Sequence, residues 1–298
     1  CPGLVVYLWS LSSLHLLGCL VAFIFVASCT KTEKEPAIYD PTLYEFDFGH
    51  FPPPNLPEDN VLTNAGVELG RMLFYENKLS RGDGQACADC HLQIDGFSDI
   101  RRFSLGVAEE EGNRQAMSIF NMAWHGTGFF WDGRAEKLRD QALLPIQDPL
   151  EMDETLENVV AKLQAETAYN DQFIRAFDSD TISPEKISLA LEQFMLSIVS
   201  MDSKYDRFLK GEDSLTESEQ RGMQLFFTEF DPFGIEKGAE CFHCHGGMNF
   251  TNNKFMNNGL DLFDEITDKG LFETTEMPSD IGKFKVTSLR NIAVTPPY

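Results

Sequence analysis

The chain has 298 residues, 43% of them hydrophobic, enough for two ordinary domains with an apolar core in each. Its 47 acidic side chains outnumber 24 basic ones, giving a formal charge of −23. That balance repels nucleic-acid phosphates and excludes a nucleic-acid-binding role, while an acidic surface can steer a basic partner.

The first 28 residues stand apart. Leu4–Ser28 contains no Asp, Glu, Lys or Arg and is long enough to span a bilayer, and it gives way at once to the polar "CTKTEKEP". Small residues lead through "VASC" into Cys29, so residues 1–28 resemble a bacterial lipoprotein signal, with Cys29 as the lipidated first residue of the mature chain. The missing basic start and initiator Met imply that the sequence begins a little late. A plain N-terminal transmembrane helix is the alternative. Either reading puts the remainder outside the cytoplasm, and the first puts it on the periplasmic side, held to the membrane by a lipid anchor only. Residues 29–59, with "FPPPNLPEDN", read as an extended linker.

"LGRMLF" (Leu69–Phe74) predicts a helix whose Gly70 permits close helix contact and whose Leu-Phe pair covers a bound group. "CADCH" follows, with Cys87 17 residues after Gly70. "ETLENVVAKLQ" places Leu156, Val159, Val160 and Leu163 at helical spacing. In "SPEKISLALEQFMLSIVS", Ser183 is the cap, Pro184 the first turn, and Ile187, Ala190, Leu191, Phe194 and Ile198 one apolar stripe. "LKGEDSL" (Leu209–Leu215) reads as a linker, and "TESEQRGMQLFF" opens with a capping box from Thr216 to Glu219. Its G-x-x-L-F repeats the earlier helix, and Gly222 precedes Cys241 of "CFHCH" by 19 residues.

Cys-x-x-Cys-His is the attachment signal for c-type haem. Two thiols at i and i+3 share one side of a helical turn and can form thioethers to the two vinyl groups of one porphyrin, and the adjacent imidazole turns onto the iron. Such pairs are also raw material for zinc, "CFHCH" being the more zinc-like copy. Of seven cysteines, Cys1 and Cys19 lie in the signal and Cys29 is the lipid site. The other four, Cys87, Cys90, Cys241 and Cys244, all fall in the two motifs, leaving none for a disulfide. Two complete copies in an exported chain favour two covalently bound haem c groups, ligated by His91 and His245. The expected fold is mainly α, with long loops: two tandem cytochrome c-like haem domains at residues 60–208 and 209–298.

Three blocks, "LGRMLFYENKLSRGDGQACADCHLQIDGFSD", "FFWDGRAEKLRDQALLPIQDPLEM" and "FKVTSLRNIAVTPPY", resemble the bacterial dihaem cytochrome c peroxidase and MauG family from about Phe51 onward. The resemblance implies a peroxidatic N-terminal haem on His91 and an electron-transfer haem on His245. It makes Trp131 the relay between them, and it places Gln141, Pro145 and Glu151 in the distal pocket. There Glu151 would move the proton that peroxide cleavage requires, its pKa raised by burial, with Gln141 orienting the peroxide. It also implies a calcium ion held by an amide and two backbone carbonyls, at positions matching Gln115, Thr295 and Pro297. Gln115 stands where the family usually has Asn.

Two departures matter. Family peroxidases place a second His on the peroxidatic iron, in the loop after the first motif, yet residues 92–124 contain none. The iron is therefore expected to be open on its distal side, as in MauG-like members, with His125 a surface or packing residue. The family's sixth ligand to the other iron, Met or Tyr, lies beyond the block that here ends "TPPY". Met248, Met256 and Met277 do not match it, so the chain reads as ending before its second domain does. The function implied is reduction of hydrogen peroxide with electrons from a small periplasmic donor such as a cytochrome c. The alternatives are a MauG-like enzyme oxidising residues of a partner protein, and a non-catalytic dihaem electron-transfer or redox-sensing protein.

Overall fold

A computed structural model describes residues 36–298 apart from 127, 235 and 236, so the apolar leader and Cys29 lie outside the described residues. Thr63 accepts the N–H of Gly66 and opens α1 (Asn64–Phe74). The first Cys-x-x-Cys forms the single turn α2 (Cys87–Cys90). There follow α3 (Leu138–Gln147), α4 (Leu156–Gln164, capped by Thr155), α5 (Thr167–Phe177) and α6 (Pro184–Ser197, capped by Ser183). The stripe read on α6 is its buried face: Ile187, Ala190, Leu191 and Phe194 are all inside. Ile198 is not on that stripe, because the chain leaves the helix at Ser197 and Ile198 is extended and half-buried.

α1 lies directly on α6. A Cβ at Gly70 would stand 1.9 Å from the Ala190 carbonyl oxygen, so the two backbones touch where a side chain would otherwise be. Leu69, Leu73, Ile146, Leu163, Phe173 and Ile187 fill the layer between the helices with no solvent exposure. Each such side chain stabilises by about 1.5–3 kcal/mol on burial.

α7 (Lys204–Lys210) begins with a Ser203–Asp206 capping box and ends at Gly211, which has φ of 77°. α8 (Glu217–Phe227) carries the Thr216–Glu219 box as expected. It differs from α1 in one respect. Nothing among the described residues approaches within 4 Å of a Cβ at Gly222, and no α8 residue is buried. The close helix contact expected for the second G-x-x-L-F is therefore not seen among the described residues. The turn α9 (Phe242–His245) follows, then β1 (Phe255–Met256), α10 (Phe272–Thr275) and β2 (Phe284–Lys285). The two strands pair antiparallel, Phe255 opposite Lys285.

Residues 36–298 form one compact unit. Asn121 donates to the Asn249 side chain at 3.1 Å. Arg290 grips Asp206 through two bonds of 2.8 Å. Among the described residues no helix is long and apolar enough to cross a membrane.

Candidate functional site

Cys87 and Cys90 sit one helical turn apart on α2, and His91 is its C-cap. His91 Nδ1 lies 3.0 Å from the Phe97 carbonyl oxygen. A carbonyl can only accept, so Nδ1 carries the proton and the Nε2 lone pair is left for a metal. Burial lowers the His91 pKa, against the opposing pull of the Phe97 and Met117 carbonyls and the Asp99 charge, which keeps the ring neutral. Burial likewise pushes both thiols up to about 12. Zinc binding needs thiolate, which this setting disfavours, whereas a neutral thiol pair suits thioether attachment.

All three residues line a cavity of about 860 Å³, within the roughly 300–1,000 Å³ typical of cofactor and ligand sites. Phe74, Ile119, Met122, Leu191 and Met195 make its apolar wall. The cradle, the thiol spacing and the aimed imidazole fit a c-type haem.

Gln141, Pro145 and Glu151 line the same cavity. Gln141 and Pro145 lie on α3, whose end turns back so that Met152 N–H donates to the Pro145 carbonyl at 3.1 Å. Glu151 is fixed by its own backbone, its N–H bonded to Asp148 O at 3.0 Å and its carbonyl accepting Val107 N–H at 2.7 Å. Burial raises its pKa to about 7, with the Asp148 charge adding and Arg134 opposing. A carboxyl half-ionised near neutrality can both take and give a proton.

Trp131 forms part of the cavity wall. Its indole N–H donates to Gln115 O at 3.0 Å, and its carbonyl accepts the backbone N–H of Lys285 at 2.9 Å. Arg114 pairs with Asp132, with both oxygens of Asp268 at 2.8 and 2.7 Å, and with Glu273 at 3.0 Å. Thus the tryptophan and its neighbours are tied to the segment that follows the second motif. The Gln115 amide donates to the Asp99 carbonyl and, at 2.8 Å, to the carbonyl of Pro296, the residue between Thr295 and Pro297.

Two wall residues escaped sequence reasoning. His125 was expected at the surface or in packing; it packs on Phe129, rings 6.4 Å apart and 16° from parallel, but it also faces the cavity. Burial and the charge of Lys285 lower its pKa to about 3. Lys285 is buried on the same wall, its ammonium 2.8 Å from Gly128 O and facing the rings of Phe129 and Phe255, and burial lowers its pKa to about 8. Its only trace in the sequence is a Lys set between Phe284 and Val286. Buried Nδ1 of His125 and Oε1 of Gln85 have no hydrogen-bond partner among the described residues, which leaves polar atoms on the wall for a bound group.

The second motif repeats the key contact in a different setting. His245 Nδ1 donates to Phe250 O at 3.2 Å, again freeing Nε2. Cys241, Cys244 and His245 are half-buried and do not line the large cavity. Their surroundings are aromatic, with Phe226 against Phe250 and Phe227 against Phe242. Met256 Sδ lies 3.6 Å from Cys244 Sγ, beside an attachment cysteine.

The family model described as di-haem cytochrome c peroxidase matches residues 64–214. The chain belongs to that family. A di-haem cytochrome c peroxidase of this family carries two c-type haems, and the mainly helical fold is of the cytochrome c-like type. The chain is 34% identical to the methylamine utilization protein MauG of Methylophilus methylotrophus over 81% of its own length and 70% of that protein. It is 33% identical to the cytochrome c551 peroxidase of Pseudomonas aeruginosa, over 78% of this chain and 66% of that one. It therefore spans about two thirds of these relatives' length. Among solved structures, a MauG-like protein associated with microbial copper homeostasis matches with a TM-score of 0.78 and 36% identity, covering 86% of this chain and 77% of that one. The diheme peroxidase BthA from Burkholderia thailandensis shares the fold, with a TM-score of 0.68 at 21% identity over 80% of this chain and 68% of that one.

Proposed function

We propose that this di-haem family member reduces hydrogen peroxide to water with electrons from a small donor protein such as a cytochrome c. The observation that carries this reading is Glu151, a carboxyl with a pKa near 7 in the same cavity as Cys87, Cys90 and His91. A pure electron carrier has no use for such a group.

Haem, when bound, supplies the iron that meets peroxide and the porphyrin that exchanges electrons. His91 and His245 would hold the iron of each haem through Nε2, their rings oriented by the carbonyls of Phe97 and Phe250. Glu151 accepts a proton from one peroxide oxygen and delivers it to the other, so that the O–O bond breaks with water as the leaving group. The balance is H2O2 + 2 e⁻ + 2 H⁺ → 2 H2O, with both electrons supplied by the donor protein. Gln141 orients the peroxide. Trp131, pinned through its indole N–H and its carbonyl, is the electron relay in this reading. In this reading Gln115, Thr295 and Pro297 hold a calcium ion, and the Gln115 amide already reaches the carbonyl of Pro296, the residue between the other two. The protein works on the periplasmic side, lipid-anchored at Cys29.

The MauG-like reading, in which the oxidising equivalents act on a partner protein, is favoured by one feature: residues 92–124 hold no histidine to close the first iron. Stopped-flow mixing separates the two. Rapid oxidation of reduced cytochrome c on adding peroxide to the haem-loaded protein supports the peroxidase. Absence of such oxidation, with covalent change in a partner detected by mass spectrometry, supports the second reading and removes the first.

A further inference from the structure

Beside the second motif, outside the large cavity, three side chains of metal-ligating type converge. They are Glu229, Glu240 and His243, and a ligand atom from each lies within 4.8 Å of the others. His243 Nε2 stands 3.1 Å from Glu229 Oε2. Glu240 Oε1 accepts the backbone N–H of Phe230 at 2.7 Å, which fixes the carboxylate beside that of Glu229.

The backbone holds these three positions rather than leaving them to chance. Residues 229 and 240 stand at the base of a loop closed by a bridge between Phe230 and Lys237. Gly238 N–H bonds Glu229 O, and Glu240 N–H bonds Thr228 O, both at 3.2 Å. A Cβ on Gly238 would sit 1.9 Å from the Thr228 carbonyl oxygen, so only glycine lets the two strands approach this closely. His243 is fixed against that base by its own N–H to Glu240 O at 3.3 Å, and its carbonyl accepts from Asn252 at 3.1 Å.

We propose that Glu229, Glu240 and His243 bind a borderline divalent cation of the zinc class, bridging the base of this loop to the second Cys-x-x-Cys-His motif. One imidazole nitrogen with two carboxylates is a donor set that suits zinc, and it leaves a fourth position for water. Purely hard ions such as calcium prefer all-oxygen shells, so they compete poorly here. The site is exposed, hence reachable from solvent. It stands independently of the catalytic reading above, since none of its three residues lines the cavity.

Isothermal titration of the haem-loaded protein with zinc chloride, in buffer already holding excess calcium, tests this. One equivalent of saturable zinc binding is expected, with at least a tenfold loss of affinity in His243→Ala and in Glu240→Gln. Both variants are expected to keep wild-type haem absorbance, which shows that they fold and that the motif is intact. Glu240→Gln is the sharper of the two, because Glu240 makes no ion pair with His243. Two outcomes overturn the proposal: no saturable zinc binding, which leaves His243 and Glu229 as an ion pair only, or binding unchanged in both variants, which places zinc elsewhere.

Discussion

Trp131 donates its indole N–H to the carbonyl oxygen of Gln115, and their chain neighbours, Asp132 after the one and Arg114 before the other, form an ion pair. Two loops are thereby riveted at adjacent positions, and Arg114 extends the joint to Asp268 and Glu273. Trp131→Phe removes the N–H anchor and the indole while keeping an aromatic ring. Both haems are expected to attach normally, with cytochrome-dependent peroxide turnover falling by about tenfold or more, equivalent to at least 1.4 kcal/mol on the barrier. Turnover at the wild-type rate would remove Trp131 from the electron route.

Glu151→Gln keeps the shape of the side chain and removes its proton chemistry. Peroxide turnover should drop by about 10²-fold, at the lower end of what general acid–base groups contribute, with haem content unchanged. The wild-type rate should rise with pH through about 7 as the carboxylate forms, and this limb should vanish in the variant. The sign for stability is the opposite. A carboxyl raised from 4.5 to about 7 favours the folded state at low pH, and that advantage is lost as pH climbs toward 7. Urea unfolding should therefore show Glu151→Gln gaining on the wild type between pH 5 and pH 8.

Asp206 and Arg290 form a buried pair, with His50 at 3.0 Å on the same carboxylate. Desolvation works against ionisation, but the Arg290 bonds and those from Ser203 outweigh it, holding the carboxyl well below its usual range. Asp206→Asn strands a buried guanidinium and should cost about 3–5 kcal/mol in urea unfolding at pH 7. The wild-type contribution is present above the ordinary carboxylate range and disappears as pH falls below about 4, so the gap between the two proteins should narrow in acid.

The two related glycines should respond in opposite directions. Gly70→Ala drives a methyl into the Ala190 carbonyl and should destabilise by about 1–3 kcal/mol or more. Gly222→Ala meets nothing among the described residues and should gain up to about 1 kcal/mol from helix propensity. Thermal unfolding of the pair decides whether the second helix is as free as it looks.

His125 invites a spectroscopic check. Ferric electron paramagnetic resonance should show one high-spin haem, unchanged in His125→Ala. Two low-spin haems in the wild type, with one becoming high-spin in the variant, would make His125 the axial ligand and defeat the open-iron reading.

The helices with sharp local signals were legible in advance. Thr216–Glu219, Ser183 and the α6 stripe each declared themselves through short-range chemistry, and the structure places them as read except for Ile198, which lies past the end of the helix. The shared cavity of Cys87, His91, Trp131, Gln141 and Glu151 was reached only through family resemblance, because it gathers residues from Phe74 to Lys285 that no periodicity connects. His125 and Lys285 were missed for the same reason: what makes them notable is burial on a common wall, a property of packing rather than of pattern. At Gly222 the repeated motif brings a repeated helix without a close neighbour among the described residues.

The carbonyls that aim the two imidazoles lie only six and five residues beyond His91 and His245. Closing so short a loop costs little chain entropy. Each ring can therefore take up its orientation in a nascent, otherwise unfolded stretch, whereas the surrounding chamber needs almost the whole polypeptide. Covalent loading of the pigment need not wait for the globule to assemble, and the globule can condense around a group already in hand.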